Sequence, residues 1–373
     1  MAERPIYLDH NATTPLLPEV LAAMLPYLET HFGNPSSSHA YGRDAHAAVE
    51  AARSDVAALV GAESDEVVFT SGGTEANNLA IFGTLPAGSS PRHLITSSIE
   101  HPATAAPAAE LERRGHRVTR IAVSAAGAVS ADDVERALSD DTALVTIMHA
   151  NNETGVVQPI RPIVELCHAR GVRVHTDAAQ SAAKLDVAAL GADLISIAGH
   201  KLGAPKGVGA LIVRRGTALT PLTLGASHER GLRPGTENVA SIVGLGVACR
   251  RARGRTAEDR KRVASLRDGL WWRLRARHPD LVAFGQDAER LPNTLLVAAP
   301  GTRGSEVLGR VPELAASTGS ACHAGTETPS AVLTRMGVSG PLALGAIRLS
   351  LGFETREEEV ERAAALLLEA LRP

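Results

Sequence analysis

The chain has 373 residues, of which 44% are hydrophobic and only 3% aromatic, so it can form a large domain of about 200–250 residues and a smaller one. A formal net charge of -3 gives no electrostatic reason to expect a nucleic acid or an anionic membrane as a partner. The cysteines are too widely spaced for a disulfide framework or a zinc site, and no segment approaches the apolar length of a membrane span. We therefore expect a soluble, cytoplasmic protein without a metal.

The first sixty residues predict two helices separated by a polar loop. Pro15 and Pro18 mark the start of the first helix. The turn-rich segment 32–43 is long and polar, which favours a functional loop. The second helix covers residues 46–61 and ends at Gly61, a residue typical of helix C-termini.

From Asp65 onward, short apolar strands alternate with helices. The apolar segments end near the positions 70, 100, 150, 178, 199 and 215. The first four lead into helical patterns, and the fourth of these patterns covers residues 179–187. This spacing predicts an α/β fold with a mostly parallel sheet between two layers of helices.

The last third of the chain has a different pattern. A long helical region, 238–278, precedes two apolar strands at 293–300 and 346–352 and an amphipathic helix at 356–372. This order is typical of a closing α+β domain. We predict a large domain over residues 16–250 and a small domain formed by residues 1–15 and 251–373.

Lys201 has a sequence setting that suits chemistry. It follows an apolar strand and precedes a loop rich in Gly and Pro, and catalytic groups collect at such strand ends in α/β sheets. A lysine attacks a carbonyl only when it is unprotonated, which requires burial or a nearby positive charge. The other lysines, Lys184, Lys206 and Lys261, lie in loop-like or solvated surroundings. An ordinary surface lysine beside a turn is the alternative.

The segment 71–78 predicts a phosphate site. Gly72, Gly73 and Thr74 lie between a strand and a helix N-terminus, where free N–H groups and the helix dipole favour an anion. The pattern is neither a Walker loop nor a dinucleotide fingerprint, so ATP and NAD are poorly supported. A plain β-α turn is the alternative.

Other polar residues also follow apolar strands. Asp177 ends one strand, where a carboxylate needs a cationic or hydrogen-bonding partner such as the pyridinium nitrogen of pyridoxal phosphate; a helix N-cap is the alternative. Gln180 either contacts that cofactor or faces solvent. The remaining strand ends supply His101, Asn152 and His200. Together with Lys201, these side chains describe a pyridoxal-phosphate pocket.

Two residues of the last third complete the candidate site. Cys322 lies in a segment rich in Gly and Ser that predicts a mobile, exposed loop, the setting that a reactive thiol needs. Cys167 and Cys249 lie in helices and are expected to pack as small apolar groups. Arg348 interrupts an apolar strand, which indicates either a bound carboxylate or a structural salt bridge.

Nearly the whole chain resembles the class V aminotransferase-like family of pyridoxal-phosphate enzymes, and specifically cysteine desulfurases of the NifS/IscS type with the related selenocysteine lyases. The matching segments are, in order, YLDHNATTP, FGNPSSSHAYGR, FTSGGTEANNLAI, EHPA, ANNETGVVQPI, HTDAAQ, GHK, HERGLRPGTENV, GSACHAG and RLSLG. The resemblance implies fold type I, with a seven-stranded sheet in the large domain. It also implies a homodimer with its sites at the interface, in which Thr236 of one subunit reaches the phosphate of the other.

The resemblance also implies a role for each candidate residue. Lys201 holds the cofactor covalently and Cys322 accepts sulfur. His101 stacks on the cofactor ring, Asp177 pairs with the ring nitrogen, and Asn152 and Gln180 contact the ring substituents. The phosphate is bound by Gly73, Thr74 and His200, and the substrate is bound by Arg348 and Asn152. Two positions depart from the pattern. Ala198 stands where many desulfurases have a phosphate-binding Ser, and His323 after Cys322 is closer to selenocysteine lyases.

The implied activity is the conversion of L-cysteine to L-alanine, with delivery of sulfur through Cys322 to an acceptor. The acceptor can be an iron-sulfur scaffold, a tRNA-thiolating enzyme or a biosynthetic sulfur carrier. A selenocysteine lyase is the nearest alternative. A transaminase or C–S lyase without a persulfide step, and a non-catalytic scaffold, are the others.

Overall fold

The computed structural model describes residues 4–319, 321–323 and 326–372, with the backbone alone for residues 321–323 and 326. Its helices are α1 Pro18–Glu29, α2 Ala40–Leu59, α3 Gly73–Thr84, α4 Pro102–Arg113, α5 Ala131–Ala137, α6 Ile160–Ala169, α7 Val239–Arg253, α8 Ala257–Arg277, α9 Gly304–Gly309, α10 Ala331–Arg335, α11 Gly340–Leu344 and α12 Glu357–Ala370. Within the described ranges, no helix combines the length and apolar character that crossing a bilayer requires.

The strands form one large sheet, a smaller sheet and two short pairs. They are β1 Ile6–Tyr7, β2 Val67–Thr70, β3 His93–Ser97, β4 Arg117–Ile121, β5 Thr142–Thr146, β6 Arg173–Asp177, β7 Leu194–Ala198, β8 Gly209–Val213, β9 Val282–Phe284, β10 Thr294–Ala298, β11 Leu314–Ala315, β12 Ser317–Thr318, β13 Ala321–His323, β14 Thr326–Thr328 and β15 Ala346–Ser350.

The large sheet has seven strands in the order β2-β8-β7-β6-β5-β3-β4. All its pairs are parallel except the two made by β8, which runs opposite to β7 and β2. The predicted α/β class and the mostly parallel sheet are therefore confirmed. The carboxyl ends of β2, β6 and β7 meet at one edge of the sheet.

Apolar residues in neighbouring positions of the central strands pack on opposite faces of this sheet. Ile95 and Val145 pack with α2, α6 and α7, whereas Leu94 and Leu144 pack with α3 and α4. This arrangement follows from the two-residue period of a strand. Strands buried on both faces read as continuous apolar runs, which is why the sequence revealed them.

A separate core lies on one face of the small antiparallel sheet, which has the order β12-β15-β10-β9. It joins Leu8 to apolar residues between Val263 and Ala370, mainly from α8, α12 and the sheet. A smaller cluster joins Ile99 to residues between Phe284 and Ala346. The boundaries proposed above, 16–250 for the large domain with 1–15 and 251–373 for the small one, stay a prediction.

Two predicted helical segments differ from the structure. Residues 179–187 form turns instead of a helix, because the amides of Lys184 and Leu185 both donate to Ser181 O and the helical ladder is not propagated. The region 238–278 forms two helices, α7 and α8. Thr256 separates them because its side chain caps the start of α8, with Asp259 capping back.

The loop that carries Thr236 begins with two residues in the left-handed region. Glu229 has φ 48° and Arg230 has φ 56°, conformations that cost free energy for residues other than glycine. Glu229 is buried, and its carboxylate accepts from both terminal nitrogens of Arg53, at 2.7 and 2.8 Å, and from the Phe69 amide at 2.8 Å. These charge-assisted bonds hold the loop in place.

The substitution Glu229→Gln is expected to lower the free energy of unfolding by about 3 kcal/mol, because it removes the buried counter-charge of the Arg53 guanidinium and leaves only the half-exposed Glu50 as an ionic partner. Urea denaturation followed by circular dichroism measures the change. Asp65→Asn is the matched control, since it removes the carboxylate of an exposed ion pair with Arg215, and we expect it to have little effect. Equal losses in the two variants would contradict the assignment of Glu229 as a buried anchor.

Candidate active site

A cavity of about 240 Å³ opens where β6 and β7 end beside the start of α3. The lining includes eight of the residues predicted from the sequence, namely Gly73, Thr74, His101, Asn152, Asp177, Gln180, His200 and Lys201. They come from positions up to 128 residues apart (201 − 73). The edge of the mostly parallel sheet brings them together, as the strand-end pattern predicts.

The phosphate end of the candidate site is the start of α3. Gly72 precedes the helix with φ 150°, which side-chain-bearing residues rarely adopt, and no side chain caps the helix there. The first N–H groups of a helix lack intrahelical partners, so those near Gly73 and Thr74 are suited to an anion. Ala198 also lines this cavity and supplies no hydroxyl.

His200 lies beside this end. Its Nδ1 is 3.1 Å from Thr13 Oγ1. Burial, with Lys201 as the next cause, lowers the pKa of His200 to about 4. The ring is therefore neutral near pH 7, and it can meet an anion through a single N–H donor.

Asp177 is buried at the end of β6 with neutral partners. Its Oδ2 accepts from Asn77 Nδ2 at 2.6 Å, and its Oδ1 accepts from the Ala179 amide at 2.9 Å. No ion pair to Asp177 is formed by the described residues. The helix N-cap alternative is wrong, since turns follow β6. A buried carboxylate that has no cationic partner fits a positively charged ring nitrogen.

Lys201 ends a short 3₁₀ turn directly after β7. Its Nζ donates to the backbone carbonyls of Asn11 and Ala12. Burial and then the charge of Arg348 lower the pKa of Lys201 to about 8, although Asp177 and Asp9 oppose the shift. Lys201 is half-buried and lines the cavity instead of lying on the open surface, and its lowered pKa leaves a fraction of the amine uncharged near neutral pH.

His101 and Gln180 occupy defined orientations at the cavity wall. His101 precedes α4, and its Nδ1 accepts from the Ala103 amide at 3.1 Å, while burial lowers its pKa. Gln180 does not face solvent: it is 6% exposed, its Nε2 donates to Asn11 O at 2.9 Å, and its Oε1 accepts from Lys184.

Arg348 in β15 lies behind the lining. Its Nη1 donates to Asn152 O at 3.1 Å, and its Nη2 pairs with Asp9 at 2.8 Å. The structural salt bridge considered as the alternative is thus present. Nε of Arg348 is buried and has no partner among the described residues. A role in binding a substrate carboxylate stays a prediction.

Two further predicted residues, Thr236 and Cys322, belong to segments that contribute nothing to the described lining of the cavity. Thr236 is exposed in the loop before α7. Cys322 lies in β13, opposite Glu327 of β14 in an antiparallel pair, so the described backbone of the predicted loop consists of two paired strands. The side chains of Cys322 and His323 lie outside the described residues.

Sequence reasoning missed Asn11, Asn77 and Lys184. Asn77 had a signal in its spacing, because it lies one helical turn after Gly73 and therefore on the same side of α3. Asn11 lies in the matching segment YLDHNATTP and Lys184 lies in none of the matching segments, and no spacing signal marks either residue. Both are buried and contact residues far away in sequence.

A family model described as "Aminotransferase class-V" matches residues 6–363. A protein of Trichormus azollae named cysteine desulfurase is 44% identical over 98% of this chain and 92% of its own length. A solved structure titled "NIFS-like protein" superimposes with a TM-score of 0.91 at 34% identity, covering 98% of this chain and 99% of that one. Another, titled "SspA in complex with cysteine", has a TM-score of 0.82 at 38% identity, covering 92% and 98%. The chain therefore belongs to the class V aminotransferase family.

Proposed function

We propose that this protein is a pyridoxal-phosphate-dependent cysteine desulfurase, which converts L-cysteine to L-alanine and transfers the sulfur to Cys322 as a persulfide. The observation that carries the proposal is that two groups line one cavity. One is Asp177, a buried carboxylate held by neutral donors, and the other is Lys201, an amine of lowered pKa. Relatives named cysteine desulfurase and the related structure in complex with cysteine support it.

Pyridoxal phosphate would be held at both ends of the cavity. The start of α3, Thr74 and His200 would hold the phosphate, Asp177 would keep the ring nitrogen protonated, and His101 would stack on the ring. When bound, the cofactor supplies an electron sink for the pair released at the substrate Cα. The cofactor calls for an anion site, a carboxylate and an amine, and the residues present meet these requirements.

The protein's own residues would carry out the remaining steps. Lys201 would bind the cofactor covalently and, once displaced by substrate, take the Cα proton on Nζ. Arg348 and Asn152 would orient the substrate. The Cys322 thiolate would then attack the substrate sulfur: an S–S bond forms, the C–S bond breaks, and the persulfide stays on Cys322. The Cβ that lost sulfur takes up a proton, and the Cα regains the proton held on Lys201 Nζ, which gives alanine. An acceptor protein would finally take the outer sulfur.

A homodimer is part of the proposal. Leu21, Leu25 and Leu28 are exposed along one side of α1, and Phe32 and Leu224 are 74% and 92% exposed. Large exposed apolar groups of this kind are typical of interaction surfaces. Thr236 is exposed and absent from the lining of its own cavity, which fits a role in the site of a second copy. We also propose a cytoplasmic location.

The proposed function is tested by giving L-cysteine to the protein loaded with pyridoxal phosphate. We expect alanine to form together with protein-bound sulfur, and pyruvate to stay at background. Formation of pyruvate in place of alanine would instead establish a C–S lyase, and formation of another keto acid would establish a transaminase. L-Selenocysteine is the parallel substrate because of the Cys322–His323 pair, and faster alanine release from it would favour a selenocysteine lyase. A protein that cannot be loaded would overturn the proposal.

A further inference from the structure

Lys184 is a buried amine that the proposed reaction does not use. It is 4% exposed, and its Nζ donates to Gln180 Oε1 at 2.8 Å and to Asn11 Oδ1 at 3.0 Å. Within the described ranges, no carboxylate forms an ion pair with it. Charged lysines are almost never buried without such a pair.

The direction of the pKa shift of Lys184 agrees with these contacts. Burial lowers the pKa of Lys184 well below its usual value, and the positive charges of Lys201, Arg348 and Arg255 lower it further. An uncharged amine has two N–H groups, one for each of the two carbonyl oxygens. Lys184 can therefore remain buried without a counter-ion.

The two side chains that accept from Lys184, those of Gln180 and Asn11, are both connected to one backbone carbonyl, that of Asn11. Asn11 O accepts from Lys201 Nζ and from Gln180 Nε2. Because Lys184 holds the oxygen of the Gln180 amide, the nitrogen of that amide points to Asn11 O. Lys184 also holds the Asn11 side chain directly, together with Asn293 Nδ2 at 3.1 Å.

We propose that Lys184 is a positioning residue for Lys201. By holding the side-chain carbonyls of Gln180 and Asn11, it fixes the Asn11 backbone carbonyl that receives the Lys201 amine whenever this amine is not bonded to the cofactor. The inference rests on the proposed function, because that function gives Lys201 its covalent role. It assigns Lys184 no contact with cofactor or substrate, and Lys184 does not line the cavity.

Loss of Lys184 has a specific consequence. The Gln180 amide is no longer held in one orientation, and Asn11 loses one donor to its side chain. The carbonyl that accepts from the Lys201 amine is then held less firmly, by the remaining bonds of Asn11 to Ser350, Thr294 and Asn293. The groups proposed to hold the phosphate and the ring nitrogen, Thr74 and Asp177, make no hydrogen bond to Lys184 in the structure. The rate of covalent capture of the cofactor by Lys201 should therefore fall more than the noncovalent affinity for the cofactor.

The experiment compares two ligands on protein stripped of cofactor. Pyridoxal phosphate reports the rate of covalent capture by Lys201 through its absorbance, and deoxypyridoxine phosphate, which lacks the aldehyde, reports noncovalent affinity. For Lys184→Met we expect capture to slow by about tenfold, the equivalent of one lost hydrogen bond, and affinity for deoxypyridoxine phosphate to stay within about threefold. The matched control Lys261→Met, which changes an exposed lysine on α8, should alter neither quantity.

Two results would overturn the inference. Unchanged capture in Lys184→Met would show that Lys184 does not position Lys201, and an equal loss of capture and of analogue affinity would show a general structural role. If Lys184→Met does not fold, Lys184→Gln keeps an N–H donor and should show the same selective loss, smaller in size. Wild-type protein that binds neither ligand would overturn the proposed function itself, and this inference with it.

Discussion

Replacement of Lys201 by alanine is expected to lower alanine release from L-cysteine by at least about 10³-fold, within the range that a positioned general base contributes and with the covalent attachment lost as well. Lys201 is the one lysine in the described lining of the cavity. Lys184 is held behind Gln180 by its two carbonyl partners. The rate of alanine formation, measured with saturating pyridoxal phosphate, gives the size of the loss.

The control for this variant lies five residues further along the same loop. Lys206 is exposed and does not line the cavity, so Lys206→Ala should keep the wild-type rate. Retention of cofactor after dialysis gives a second measurement, in which only the Lys201 variant should lose absorbance. A Lys201→Ala protein with more than about a tenth of wild-type activity would show that another group removes the proton.

Replacement of Cys322 by alanine is expected to abolish protein-bound sulfur and to lower alanine release by about 10²-fold or more, because the nucleophile that accepts the sulfur is absent. Cofactor binding should be unchanged, since the residues proposed to hold the cofactor, Thr74, His101, Asp177, His200 and Lys201, are all retained. Trapping the persulfide with an alkylating reagent and locating the labelled peptide measures the first effect. An alanine assay measures the second.

The two other cysteines provide the controls. Burial raises the pKa of the Cys167 thiol to about 12, and burial also raises the pKa of Cys249. Neither forms a thiolate near neutral pH, so neither can act as a competing nucleophile. Cys167→Ala should keep both alanine release and persulfide formation. A labelled peptide that contains Cys167 would contradict the assignment of sulfur transfer to Cys322.

The sequence predicted the positions of the strands and the polar residues that follow them. Continuous apolar runs with turn residues at their ends are local signals, and Asp177 and Lys201 were recognised because each directly follows such a run. The segment 179–187 was misread as a helix because its composition is compatible with one. Its actual turns accompany two inward-pointing side chains, Gln180 and Lys184, whose partner Asn11 lies near the start of the chain.

The amino-acid sequence by itself therefore determined the α/β class, the strand ends that supply the cavity and the motifs of the family. Only the tertiary structure decided which partners those residues have. Asn77 lies 100 positions from Asp177, and Asn11 lies 173 positions from Lys184, and no local pattern encodes such contacts. Desolvation also depends on the complete fold, which is why the lowered pKa of Lys201 and the buried amine of Lys184 emerge only when the sheet and both cores are assembled.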